Sequence, residues 1–134
     1  MEKAKGIDVS HWQGRIDFDK VKSQGYSFVM INAGYGKYIS QKDENFEKNY
    51  AAARKAGLNI GTYWYSYALT EADALAEAKT FLESVKGKKF EYPLAFDIED
   101  ASQSELPNAA INKIIEAFCD YLETPIDCVL LHSN

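Results

Sequence analysis

The chemistry in this sequence is concentrated in carboxylates that close apolar runs. The segment Tyr92-Pro93-Leu94-Ala95-Phe96-Asp97-Ile98-Glu99-Asp100 sets Asp97 and Glu99 one residue apart at the end of an apolar stretch. In a strand, alternation turns both to one face and Ile98 to the other, with roughly 6–7 Å of backbone between them. Burial and mutual repulsion can drive two such carboxylates to different protonation states. One then donates a proton while the other stays ionised, which is the division of labour that glycoside hydrolysis uses. Capping the following loop and binding a metal are the plainer uses of the same pattern.

Two further segments match it. In Gly6-Ile7-Asp8-Val9-Ser10 a carboxylate stands between apolar neighbours, a place that calls for a partner or a task. Gly61-Thr62-Tyr63-Trp64-Tyr65-Ser66-Tyr67 puts three tyrosines on one face by period two and Trp64 on the other. Tyr63 and Tyr65 can hold a sugar by stacking and by their hydroxyls, or can simply fill a core. Trp12 and Tyr35 follow the first two strand-like runs, where cleft-lining loops belong. The two histidines, His11 and His132, form no readable metal set or nucleophile–base pair, so no metal site and no cofactor is expected.

The elements that must position these groups alternate. Strands are expected at Lys5–Ser10, Ser27–Ala33, Leu58–Tyr67, Leu94–Ile98 and Cys128–Leu131. Helices are expected at Phe18–Gln24, Asn45–Ala56, Glu71–Val85 and Pro107–Leu122, the third opened by Thr70 as a cap. Such alternation implies an α/β fold on a parallel sheet, and apolar runs such as Phe28–Ile31 imply strands buried on both faces. A doubly wound sheet and a β/α barrel both fit. In either, active groups gather at the C-terminal ends of strands. No glycine-rich dinucleotide fingerprint or phosphate loop is present.

Composition narrows the partners. The 134 residues carry a formal charge of −5 with lysines scattered among acids, so no footprint for nucleic acid is expected. No apolar run is long enough for a membrane span. The charged start, Met1-Glu2-Lys3-Ala4-Lys5, leads straight into a strand, so no signal peptide is expected. Cys119 and Cys128, nine apart, are expected to be free, mostly buried thiols in preference to a disulfide.

Taken together, the motifs resemble glycoside hydrolase family 25, the lysozymes of the Chalaropsis type. Gly6 to Gly14 with Ile16-Asp17-Phe18 and Val21-Lys22 is similar to the family's opening. Ala56 to Tyr63 looks like its third strand, Ala74 to Phe81 like the helix that follows, and Pro93 to Glu99 like its acid-x-acid strand. The resemblance runs over roughly residues 5–123. It implies a TIM-like β/α barrel and hydrolysis of the β-1,4 bond between N-acetylmuramic acid and N-acetylglucosamine in bacterial peptidoglycan. It implies Glu99 as general acid, Asp97 as the group that orients or stabilises the reacting sugar, Asp8 as a further active-site carboxylate, and Tyr63 as a substrate contact. A carboxylate nucleophile and assistance by the substrate's acetamido group both remain open. The place of action implied is the cell wall, outside the cell or after lysis.

The sequence departs from the family at several points. Asn32-Ala33-Gly34-Tyr35-Gly36 stands where a Lys-x-Thr-Glu-Gly-like ending is usual, Trp64 where His is frequent, and His132-Ser133-Asn134 where Tyr-Ser-Asn is expected. About five of eight barrel strands are accounted for, so residues 1–134 are expected to form a single partial catalytic domain. An open sheet edge would then favour self-association.

Overall fold

The computed structural model describes residues 5–10, 16–92, 94–98 and 100–122, together with the strand course of 128–131. Five strands, β1 (Gly6–Val9), β2 (Phe28–Tyr35), β3 (Asn59–Tyr65), β4 (Leu94–Asp97) and β5 (Cys128–Leu131), alternate with helices α1 (Phe18–Ser23), α2 (Phe46–Ala56), α3 (Glu71–Val85) and α4 (Asn108–Leu122). All neighbouring strands run parallel. Their order in the sheet is β1-β2-β3-β4-β5, the order of the chain. A doubly wound sheet reverses direction at a switch point. This one never reverses, so it is wound singly, as the wall of a β/α barrel is.

Local chemistry sets the helix limits. Thr70 accepts the Asp73 amide at 3.1 Å and opens α3. Asp17 accepts the Lys20 amide and opens α1. Gly57 closes α2 at φ 81°, a left-handed conformation that costs glycine nothing.

One face of the sheet is sealed by helices. Val29, Ile31, Ile60, Trp64 and Phe96 are wholly buried there with Phe46 of α2, Phe81 of α3 and Phe118 of α4. Aromatic rings bind the layers together. Trp64 stacks on Phe81 at 5.4 Å, Phe81 on Phe118 at 6.0 Å, and Phe118 on Phe96 at 3.8 Å. Burial on both faces, expected from the apolar runs, holds along β4 but not along β2, where Phe28 and Met30 on the face away from the helices stay partly accessible.

Several strand limits differ from expectation, among them that of β3, which ends at Tyr65 rather than Tyr67. β2 continues past Ala33 to Tyr35 across a bulge between Asn32 and Gly34. There the Ala33 carbonyl accepts the Asp43 amide at 2.8 Å, and a Cβ on Gly34 would lie 2.7 Å from the Trp64 ring. The indole donates to the Gly36 carbonyl at 2.7 Å, so the bulge seats Trp64. β4 stops at Asp97, where its pairing with β3 and β5 ends.

The expectation of free thiols is corrected. Cys119 on α4 is disulfide-bonded, and the sequence holds one other cysteine, Cys128, at the start of β5. That reading took each cysteine, nine residues from the other, for a small buried hydrophobe, a property that a half-cystine shares. Closing so short a loop restricts the unfolded chain by about 2–3 kcal/mol. Denaturation in dithiothreitol is expected to show a loss of that size, checked against Cys119→Ser. Equal midpoints with and without reductant would refute it.

Candidate active site

The face left open by the helices carries the polar groups singled out above. Register places Asp8 beside Met30, Asn32 beside Tyr63, Tyr63 beside Ala95, and Tyr65 beside Asp97. Partners in register on parallel strands point to the same side, so Asp8, Asn32, Tyr63, Tyr65 and Asp97 share one face near the C-terminal ends of four strands. Trp64 turns the other way into the core, as alternation requires.

Tyr63 is the meeting point. Its hydroxyl is pushed up to about 12, first by burial and then by the carboxylate of Asp8, with smaller contributions from Asp97 and Asp43, while a hydrogen bond with the Asn32 side chain works in the opposite direction. Three acids from three segments therefore act on one phenol. At any ordinary pH that phenol is neutral and keeps its proton to donate. Asp97 is buried, and its carbonyl accepts the Ser66 amide at 2.8 Å. Asp8 is exposed to solvent on the open face rather than buried between its apolar neighbours.

A second cluster rims the site. Tyr65 donates its hydroxyl to Asp100 at 3.1 Å. Hydrogen bonds from the Ser102 hydroxyl and amide hold the Asp100 carboxyl below its usual range. The Asp100 amide donates to Gln103 at 3.2 Å, which fixes the turn at Ala101–Gln103. Tyr65 packs on Tyr67 at 5.1 Å, and Tyr67 meets Tyr35 edge-on at 5.8 Å. Tyr35 and Tyr67 are 42% and 46% exposed, which leaves ring faces available to a flat or sugar-like ligand.

The structure thus brings together Asp8, Asp97 and Tyr63, and sets Tyr65 and Tyr35 at the rim. Glu99 and Trp12 lie outside the described residues. Sequence reasoning missed Asn32, Asp43, Asp100, Glu77 and Gln103. Glu77 carried a usable signal, since it interrupts the apolar stripe Ala74, Ala78, Phe81 on α3. Asp43 carried only a turn signal, its carboxylate accepting the Asn45 amide at 2.8 Å. Among the described residues no helix is long and apolar enough to cross a membrane.

Comparison with known proteins bears on the family and the fold. The model of the family described as Glycosyl hydrolases family 25 matches residues 7–128. An autolytic lysozyme of Clostridium acetobutylicum is 33% identical over 132 residues, which are 97% of this chain and 39% of that protein. A family GH25 lysozyme from Aspergillus fumigatus superposes with a TM-score of 0.83 at 28% identity, over 96% of this chain and 65% of that one. A bacterial lysozyme from Streptomyces coelicolor does so with a TM-score of 0.81 at 31% identity, over 98% and 63%. The chain therefore spans about two fifths of that curated relative and just under two thirds of those solved structures.

Proposed function

The chain belongs to glycoside hydrolase family 25, and on that premise we propose that it carries the acid-bearing part of a muramidase, which hydrolyses the β-1,4 bond between N-acetylmuramic acid and N-acetylglucosamine in peptidoglycan. The observation that supports this most directly is that Asp8, Asp97 and the half-buried Tyr63 share one face of the sheet, at the strand ends where such barrels do their chemistry. Glu99 serves as the general acid, giving its proton to the departing sugar oxygen. Asp97 stays ionised and stabilises positive charge developing on the sugar ring. Asp8 adds negative charge to the same cleft. Tyr63, held neutral, donates a hydrogen bond to the bound sugar, and Tyr65 and Tyr35 line its approach.

The autolytic relative from Clostridium acts by name as a lysozyme, and the same site of action is proposed here, the cell wall outside the membrane. A disulfide at Cys119 suits that compartment, because such bonds persist under oxidising conditions. Incubation of the purified chain with bacterial peptidoglycan is expected to release fragments with new reducing muramic-acid ends. A folded sample that releases none would remove the proposal for this chain and leave the family membership intact.

The Tyr63 role makes a separate prediction. Tyr63→Phe keeps the ring and loses the donor. One hydrogen bond to a polar substrate group in a desolvated cleft is worth about 1–2 kcal/mol, so kcat/KM is expected to fall by roughly 10-fold with the melting temperature nearly unchanged. A variant cleaving peptidoglycan at the wild-type rate would show that the hydroxyl serves packing alone.

A further inference from the structure

We propose that Glu77 is a positioning residue for the reaction, holding through Ser66 and Gln103 the turn that directly follows Glu99. This rests on the muramidase reading above and deepens it.

Glu77 sits on the core side of α3 and is 1% exposed. A carboxylate in that place costs more than the alanines around it, so its retention calls for a task. Its two oxygens accept the Ser66 hydroxyl at 2.8 Å and the Tyr67 amide at 2.8 Å. The Ser66 oxygen in turn accepts Gln103 Nε2 at 3.0 Å and the Ala68 amide at 3.1 Å. Gln103, itself buried, also donates to the Ala68 carbonyl at 2.9 Å and accepts the Asp100 amide at 3.2 Å. The relay joins α3, the loop after β3 and the turn after β4. Asp100 is the residue next to Glu99, and it anchors Tyr65 from the rim of the cleft.

The relay has a direction. Ser66 has a single hydroxyl proton. While Glu77 accepts it, both lone pairs of Ser66 face donors, one from Gln103 and one from Ala68. Loss of the Glu77 acceptor frees that proton, and the fixed order of donors and acceptors along the relay weakens. Other charges bear on Glu77 from the neighbouring segments: Asp73 on its own helix, and Lys37 from the loop after β2, itself bonded to Asp73 at 3.1 Å. Tyr67 lies on the loop after β3, and Asp100 stands behind Gln103. Burial leads these influences and pushes the Glu77 carboxyl up to about 7, against the hydrogen bonds from Tyr67 and Ser66. The clamp is therefore strongest above neutrality and relaxes below it.

The test compares wild type, Glu77→Gln and Glu77→Ala on peptidoglycan from about pH 5 to 9, and follows the Gln103 side-chain amide by NMR over the same range. Displacing a reacting group by about 1 Å costs up to about 10²-fold in rate. A partial loosening is therefore expected to lower kcat by about 10-fold in Glu77→Gln, with KM within about twofold and an unchanged far-ultraviolet spectrum. The Gln103 amide is expected to shift with a midpoint near 7 in the wild type and to be pH-silent in Glu77→Gln. Glu77→Ala, which can neither accept nor donate, is expected to lose more of kcat than the glutamine variant. An active wild type with a pH-silent Gln103 amide, or a glutamine variant with undiminished kcat and the wild-type pH profile, overturns the proposal alone. A folded but inactive wild type whose Gln103 amide titrates overturns the muramidase reading and leaves the coupling between Glu77 and the turn standing.

Discussion

Glu99→Gln is expected to lower peptidoglycan cleavage by at least about 10³-fold while leaving substrate binding almost unchanged. Departure of a sugar hydroxyl as an alkoxide is very unfavourable, and a positioned acid supplies about 10²–10⁴ of the rate by protonating it. Glutamine keeps the shape and the hydrogen-bonding reach but has no proton to give. The effect should therefore appear in kcat rather than KM. Asp97→Asn is the paired experiment. Asp97 is buried at the last paired position of β4 beside Tyr65, so its ionised form acts in a poorly screened place. Removing that charge is expected to cost about 10²-fold, again in kcat. Reducing-end release from the two variants, measured beside the wild type, checks both. A Glu99→Gln chain that retains a tenth of wild-type kcat would require another acid, and the assignment would fail.

Phe118→Ala is expected to destabilise the fold by about 3–5 kcal/mol. Phe118 is wholly buried and lies between Phe96 of β4, 3.8 Å away, and Phe81 of α3, 6.0 Å away. Truncation leaves a ring-sized hole at the contact of α3, α4 and the sheet, and helices held from several sides cannot close it. Urea denaturation reads the loss directly as a lower midpoint. A change below 1 kcal/mol would mean that the aromatic stack is not the fastening it resembles. Phe96 directly precedes Asp97, so a partly folded variant should also lose activity at temperatures where the wild type is intact.

Where periodicity was strong, the sequence was read correctly. Alternation alone put Trp64 on one face and Tyr63 and Tyr65 on the other, because a strand offers a side chain only two directions; which face is the core was left to the structure. The helix over Glu71–Val85 followed from its composition and its Thr70 cap. Asn32-Ala33-Gly34 misled, because glycine at that place reads as the end of a strand. In the structure the glycine permits a bulge, and pairing resumes beyond it to Tyr35. Asp43 and Gln103 were illegible for a different reason. Their importance comes from segments that are distant in sequence, and nothing in their own neighbours announces it. The redox state of Cys119 was misread because the geometry that joins two cysteines belongs to the fold and not to their spacing.

The singly wound sheet also bears on how the chain comes into being. When order in space repeats order in sequence, each strand docks beside the one synthesised just before it. A nascent chain leaving the ribosome can therefore lay down β1, then β2 against it, then β3, each strand after the first meeting a neighbour that has already been made. The loop to be closed at each step is one helix long, which keeps the entropic cost of each addition small. Assembly of this kind is vectorial. It completes the wall that bears Asp8, Asn32, Tyr63 and Asp97 in the order in which those residues are translated.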